Sequence, residues 1–200
     1  MPPGELPESP LAFLFRALEF AARKHRDQRR KGESAAPYIN HPIAVAAVVA
    51  GTGGVDDPVT LAAAVLHDTV EDTETTLEEL ECEFGVEVRD VVDEVTDDKE
   101  LAKAERKRLQ VEHAPSASRR AKELKLGDKI CNIRDLVHAP PGGWTLDRKV
   151  EYLDWTEQVV AGCRGTSAAL EELYDRELAQ ARAALRAMRE TVDGGEGATS

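Results

Sequence analysis

Apolar residues recur every three or four positions along most of the chain, a spacing typical of amphipathic helices. After Ser9 and Pro10, which suit a helix N-cap and first turn, Leu14, Ala17 and Leu18 fall on one helical face. No segment of useful length alternates between apolar and polar residues, as a strand would. The pattern therefore predicts an all-α protein.

Proline, glycine and capping residues divide this pattern into about eight to ten helices. We expect one helical bundle over residues 1–190, because no internal repeat or linker interrupts the pattern, and a disordered Gly-rich tail over 191–200. The segments with the clearest helical spacing cover about residues 10–29, 42–50, 58–72, 77–84, 86–97, 101–112, 116–138, 145–163 and 167–189.

Composition narrows the class of protein. Aromatic residues make up only 4% of the chain, which favours helices over sheets, and the net charge of −12 argues against nucleic acid or an anionic membrane as partner. The chain contains neither a secretory signal pattern nor a run of about 20 apolar residues. Cys82, Cys131 and Cys163 are odd in number and form no C-x-x-C pair, as expected for free thiols in the cytoplasm.

Four ionisable residues follow the apolar run 61–66: His67, Asp68, Glu71 and Asp72. On a continuous helix these residues would share one side, because each residue turns the helix by about 100°. Three carboxylates on one face are costly to desolvate unless a cation binds them, so a metal site is one interpretation. The alternative is a solvated helix end, although acidic residues there oppose the helix dipole.

Two further residues could join such a site. His41 precedes Pro42 at a rigid helix entry, where a lone histidine is more often structural than a ligand. Asp128 lies near the apolar side of its predicted helix, where an unpaired carboxylate is costly. Gly127 before it costs about 1 kcal/mol relative to alanine in a helix, and it indicates a close approach by another element.

The order His41, His67-Asp68, Asp128 resembles the metal signature of the HD superfamily. The segments KHRDQRRK, PYINHP, LHDTVEDT, VTDDK, ERKRLQ and KLGDKICNIRDL narrow the resemblance to the hydrolase domain of the RelA/SpoT homologues. Among these, the small stand-alone SpoT-like hydrolases are the most similar. The resemblance spans about residues 14–173, in the order of the family.

The resemblance implies a role for each of these residues. His41, His67, Asp68 and Asp128 would bind Mn²⁺, and ligands of these types also suit Fe²⁺ or Zn²⁺. Glu71 and Asp72 would jointly orient the attacking water and transfer its proton. The nucleotide would contact Arg30, Lys31, Asn132 and Tyr152, with Lys99, Arg106 and Arg148 as weaker candidates for phosphate contacts.

The implied reaction is hydrolysis of ppGpp or pppGpp at the 3′ position, which yields pyrophosphate and GDP or GTP. One alternative is an HD-type phosphatase acting on another ribose phosphate, such as the 2′-phosphate of NADPH. Another is a non-enzymatic binding module with a relic site, since the family usually has alanine at Gly127 and often an aromatic residue at Cys131. The Ala- and Leu-rich last helix also allows a homo-oligomer.

Overall fold

The fold, taken from a computed structural model, is entirely helical over the residues that the structure describes, 8–32 and 35–196. This part contains ten α-helices and one 3-10 turn, which confirms the predicted all-α class and helix number. None of these helices is long and apolar enough to cross a membrane. The helices are α1 (Pro10–Lys24), α2 (Asn40–Gly51), α3 (Pro58–Leu66), α4 (Thr69–Asp72), α5 (Leu77–Phe84), α6 (Val86–Asp93), α7 (Lys103–His113), α8 (Arg119–His138), α9 (Leu146–Ala161) and α10 (Ala168–Glu196), with the 3-10 turn at Ala114–Ser116.

Side-chain caps fix the starts of several helices. Ser9, Asp57 and Thr76 each accept a hydrogen bond from the backbone N–H three residues later, at 3.1–3.2 Å. Each bond satisfies one of the amide groups that the first turn of a helix leaves unpaired. Proline follows Ser9 and Asp57 directly, where its fixed φ suits the first helical position.

Helix α3 forms the centre of the bundle. It packs against α1, α2, α6 and α8, and Ala62, Ala63, Ala64, Val65 and Leu66 are all buried. Helix α8 packs against α2, α9 and α10 as well, so the two most enclosed helices lie side by side. A rigid core of this kind can hold functional side chains at fixed positions where α3 ends and along α8.

The predicted third helix was wrong in one respect, because α3 ends at Leu66 and does not continue to Asp72. His67 and Asp68 form a turn, and the short helix α4 follows. Local side-chain hydrogen bonds accompany the break: His67 Nδ1 lies 2.8 Å from the carbonyl oxygen of Ala64, and Thr69 Oγ1 donates to that of Leu66 at 2.7 Å. Such bonds compete with the regular backbone pattern of a helix.

Both ends of the chain also differ from the predicted bounds. Helix α1 ends at Lys24 and not near Arg29, and α10 extends beyond Arg189 to Glu196. The helix therefore includes the first part of the predicted tail, while residues 197–200 lie outside the described residues. The division into one domain and a disordered tail remains a prediction.

Gly127 marks a close contact between α8 and α2, as its place in the sequence indicated. A Cβ atom at this position would lie 2.6 Å from Val49 Cγ2 and 3.4 Å from the backbone oxygen of Val45. The first distance is far shorter than a van der Waals contact, so an added Cβ would force the Val49 side chain or α2 to shift. Glycine here lets the two helices approach closely.

We expect Gly127→Ala to lower the free energy of unfolding by about 1 kcal/mol. Overpacking costs about 1–3 kcal/mol, which exceeds the gain of up to about 1 kcal/mol in helix propensity. Gly51→Ala is the matched control, because Gly51 ends α2 with open space around its Cα and only the propensity gain applies. Urea denaturation of both variants measures the difference, and equal midpoints would show that the contact at Gly127 adjusts without cost.

Candidate active site

Four side chains from three parts of the chain converge at the centre of the bundle. His41 is the second residue of α2, and its Nε2 lies 3.1 Å from Asp128 Oδ1 on α8. His67 Nε2 lies 3.1 Å from Asp68 Oδ2, and each imidazole is 3.9 Å from the other carboxylate. The ligand atoms of His41, His67 and Asp128 are all within 4.8 Å of one another. All four predicted metal ligands therefore lie together.

The imidazole of His67 shows that these residues fit a divalent cation. A carbonyl oxygen only accepts hydrogen bonds, so the bond to Ala64 places a proton on His67 Nδ1, and in the neutral imidazole the lone pair is then on Nε2. This Nε2 is buried without a hydrogen-bond partner and faces two carboxylates. A histidine fixed through its other nitrogen is the usual arrangement at a metal centre.

The pKa of His67 also indicates that these residues fit a divalent cation. Burial alone would lower the pKa of His67, but the carboxylates of Asp68 and Asp128 raise it to about 9. The cluster thus attracts positive charge to the position between these groups. A divalent cation would replace that proton, since a metal ligand must be a neutral imidazole.

Tyr38 belongs to this site, although we did not predict it. Its hydroxyl donates a hydrogen bond of 2.6 Å to Asp68 Oδ2, and its ring lies 4.9 Å from the ring of His25. The bond fixes the orientation of the Asp68 carboxylate, as outer-shell partners of metal ligands commonly do. The signals in the sequence were its place in the PYINHP segment and its position three residues before His41.

The two predicted catalytic acids have different surroundings. Asp72 faces the cleft described below, where Gln28 Nε2 donates to its Oδ2 at 2.9 Å and Lys99 pairs with its other oxygen. Glu71 faces the four proposed metal ligands, here called the metal cluster, from a smaller cavity. Its nearest cation is Arg106, whose Nη1 lies 3.4 Å from Glu71 Oε1. One acid is thus held by two donors, while the other is held loosely by a single cation.

These surroundings affect proton binding. Burial raises the pKa of Glu71 to about 7, and the negative charges of Asp97, Asp68 and Asp72 add to this effect. A carboxylate with a pKa near neutrality is suited to accept and release a proton during catalysis. Among the acids of this site, Glu71 therefore has the properties of a general base.

A cleft of about 560 Å³ opens beside the metal cluster and reaches His41 and Asp72. The loop before α2, helix α8 and the segment after α8 form its walls. The backbone N–H of Gly142 donates to the carbonyl oxygen of Lys31 at 3.2 Å, which joins two of these walls. All four predicted substrate-binding residues line this cleft, namely Arg30, Lys31, Asn132 and Tyr152.

Hydrogen bonds connect the cleft with the metal cluster. Asn132 Nδ2 donates to Asp128 Oδ1 at 2.6 Å, and Asn132 Oδ1 lies 3.3 Å from Arg30 Nη2. Arg30 also pairs with Asp135, and its guanidinium lies 5.4 Å from the ring centre of Tyr38. The Arg30 side chain is therefore positioned before any ligand binds.

The three weaker candidates for phosphate contacts differ in their surroundings. Lys99 and Arg106 pair with Asp72 and Glu71, as described above, so neither is a free cation. The guanidinium of Arg148 lies 4.3 Å from the ring centre of Trp144, which lines the cleft. Arg148 is thus close enough to the cleft to meet a charged group at its edge.

Comparison with known proteins agrees with this architecture. The sequence profile of the HD domain matches residues 17–153. The chain is 57% identical over 164 residues to the guanosine-3′,5′-bis(diphosphate) 3′-pyrophosphohydrolase MESH1 of Homo sapiens, covering 82% of this chain and 92% of the relative. The same protein of Xenopus tropicalis is 53% identical over 167 residues, with 84% and 93% covered.

A solved structure is similar over nearly the whole bundle. It is described as a metazoan ortholog of SpoT that hydrolyzes ppGpp and plays a role in starvation responses. The two structures align with a TM-score of 0.82 and 45% identity, over 88% of this chain and 98% of the other. This chain therefore belongs to the HD domain family, in the group that contains the MESH1 pyrophosphohydrolases.

Proposed function

We propose that this protein is a metal-dependent hydrolase that removes the 3′-pyrophosphate of ppGpp and pppGpp, with GDP or GTP as the second product. The observation that carries the proposal is that the proposed metal ligands adjoin a cleft of about 560 Å³, to whose lining one of them, His41, belongs. The MESH1 relatives are named for this reaction.

The metal site consists of the side chains that meet at the centre of the bundle: His41, His67, Asp68 and Asp128. Two imidazoles and two carboxylates suit Mn²⁺, our choice from the family resemblance, and are also compatible with Fe²⁺ or Zn²⁺. When bound, such a cation supplies Lewis acidity toward a phosphoryl oxygen and lowers the pKa of water.

Glu71 and Asp72 have different roles in the proposed mechanism. Glu71 accepts a proton from the attacking water, because its pKa of about 7 lets it exchange protons near neutral pH. Asp72, which lines the cleft and is held by Gln28 and Lys99, orients the attacking water. Both acids lie on the short helix α4, which directly follows the proposed ligands His67 and Asp68.

The cleft binds the nucleoside. Arg30 and Lys31 supply positive charge that offsets the net charge of −12 near an anionic substrate. The planar guanidinium of Arg30 can stack on the base as well as pair with phosphate. Asn132 contacts both Arg30 and Asp128, so it places the ribose relative to the metal cluster.

We expect Arg30→Ala to lower kcat/KM for ppGpp about 10- to 100-fold, mainly through a higher KM. This is the range for losing a hydrogen bond that involves a charged group. Arg26→Ala is the matched control, because Arg26 is exposed and pairs only with the exposed Asp27. Steady-state kinetics on both variants test the assignment, and equal losses would remove Arg30 from the substrate site.

The substrate is tested by comparing kcat/KM for ppGpp and NADPH on the Mn²⁺-loaded protein. We expect ppGpp to be the better substrate and pyrophosphate to be the product released. A higher kcat/KM for NADPH, with release of orthophosphate, would keep the metal site but assign it to ribose phosphomonoesters.

A further inference from the structure

A second cavity lies next to all four metal ligands. This chamber has a volume of about 170 Å³ and shares Arg30, Tyr38, His41 and Asn132 with the nucleotide cleft. It adjoins an outer pocket of about 160 Å³, with which it shares Val95, Asp97, Gln110 and Lys125. The cleft, the chamber and the outer pocket therefore follow one another past the metal cluster.

Lys125 is the unusual residue of the chamber. It lies on α8, three residues before Asp128, and only 6% of it is exposed. Among the described residues, its ammonium makes no hydrogen bond or ion pair. A lysine enclosed to this extent without an ion pair is costly, and burial lowers the pKa of Lys125 accordingly. Because Lys125 lines both the chamber and the outer pocket, its charge faces open space.

The other cations of the chamber are already paired. Lys129 Nζ lies 3.0 Å from Asp128 Oδ2, and Arg30 pairs with Asp135. Asp97, which also lines the chamber, accepts a hydrogen bond from Gln110 Nε2 at 2.7 Å. Of the Lys and Arg residues that line the chamber, Lys125 is the one that has no ion pair among the described residues.

We propose that the chamber binds the terminal phosphoryl group of the 3′-pyrophosphate, with the Lys125 ammonium as its donor. The proposal rests on the proposed function, in which the nucleoside fills the cleft and the scissile phosphoryl group lies at the metal cluster. The terminal group must then extend past the cluster, and the chamber is the space that continues there. A substrate with a single phosphate leaves Lys125 without a partner, so the chamber selects pyrophosphate esters.

The first test compares ppGpp with guanosine 5′-diphosphate 3′-monophosphate, which lacks only the terminal phosphoryl group. We expect Lys125→Met to lower kcat/KM for ppGpp about 10- to 100-fold and to leave the value for the monophosphate within about twofold. The matched control is Lys122→Met, also on α8, because Lys122 Nζ donates to the carbonyl oxygen of Pro115 and lines neither cavity. An equal loss on both substrates, or no loss, would overturn the proposal.

Binding of inorganic pyrophosphate gives a readout that does not depend on turnover. By calorimetry on the Mn²⁺-loaded protein, we expect Lys125→Met to raise the Kd for pyrophosphate about tenfold and to leave the Kd for GDP unchanged. If this variant does not fold, Lys125→Gln replaces it with the same expectation. An unchanged Kd for pyrophosphate contradicts the proposal.

The wild-type protein provides a check that needs no variant. We expect its kcat/KM to be at least about tenfold higher for ppGpp than for the 3′-monophosphate. Equal values with full hydrolysis of ppGpp would disprove the role of Lys125 and leave the proposed function intact. No hydrolysis of ppGpp would instead reject the proposed function, and pyrophosphate binding would still decide the role of Lys125.

Discussion

Asp68→Ala is expected to lower turnover of ppGpp by at least about 10³-fold and to reduce the metal content of the purified protein. Metal catalysis supplies several kcal/mol to the transition state, and each 1.36 kcal/mol corresponds to a factor of ten. Asp68 contacts His67 directly, and Tyr38 fixes its orientation. Without this carboxylate, the site keeps only three ligands and has less negative charge to balance a divalent cation.

Asp98→Ala is the matched control for this loss. Asp98 is also an aspartate near the site, but it is exposed, and its carboxylate bonds only to the backbone of Glu100. We expect this variant to keep its metal and its turnover. Metal content is measured by mass spectrometry of the protein after removal of free ions. An Asp68→Ala variant with normal turnover would show that Asp68 is not a ligand.

Glu71→Gln is expected to lower kcat about 10²- to 10⁴-fold, the usual contribution of a general acid or base. Glutamine has nearly the same shape but cannot accept the proton, so KM and the metal content should change little. Glu74→Gln is the control, because Glu74 is exposed and lies two residues after the end of α4. A higher KM with unchanged kcat would instead assign Glu71 to substrate binding.

The pH dependence of the wild type follows from the same assignment. The carboxylate of Glu71 is the form that accepts a proton, so kcat/KM should rise as the pH increases through the pKa of this group. Burial raises this pKa to about 7, and a bound cation lowers it, so the rise should lie at or below about pH 7. This limb should be missing from the pH profile of Glu71→Gln.

The helices were largely predictable because their signals are local. Ser9, Asp57 and Thr76 cap helices through hydrogen bonds within three residues, and the pattern of apolar residues reveals which faces are buried. The break between α3 and α4 was not predictable, since it depends on which backbone groups the His67 and Thr69 side chains reach. An apolar run long enough for a helix does not show that side chains will compete for the backbone hydrogen-bonding groups.

The candidate site, too, was predictable from the sequence only in part. The sequence placed His67 beside three carboxylates, but it did not by itself connect them with His41 or Asp128. The last two are 87 residues apart in the chain, and only the family resemblance put them together. Tyr38 and Lys125 escaped prediction because their roles depend on contacts and empty space that packing creates.

The most direct test of the proposed activity is hydrolysis of ppGpp by the Mn²⁺-loaded protein in ¹⁸O-labelled water, with mass analysis of both products. Attack of water on the phosphorus at the 3′ oxygen breaks the bond between that phosphorus and the ribose oxygen. We therefore expect unlabelled GDP and pyrophosphate that carries one ¹⁸O atom. Release of orthophosphate, label in GDP, or no turnover by folded and metal-loaded protein would contradict the proposed reaction.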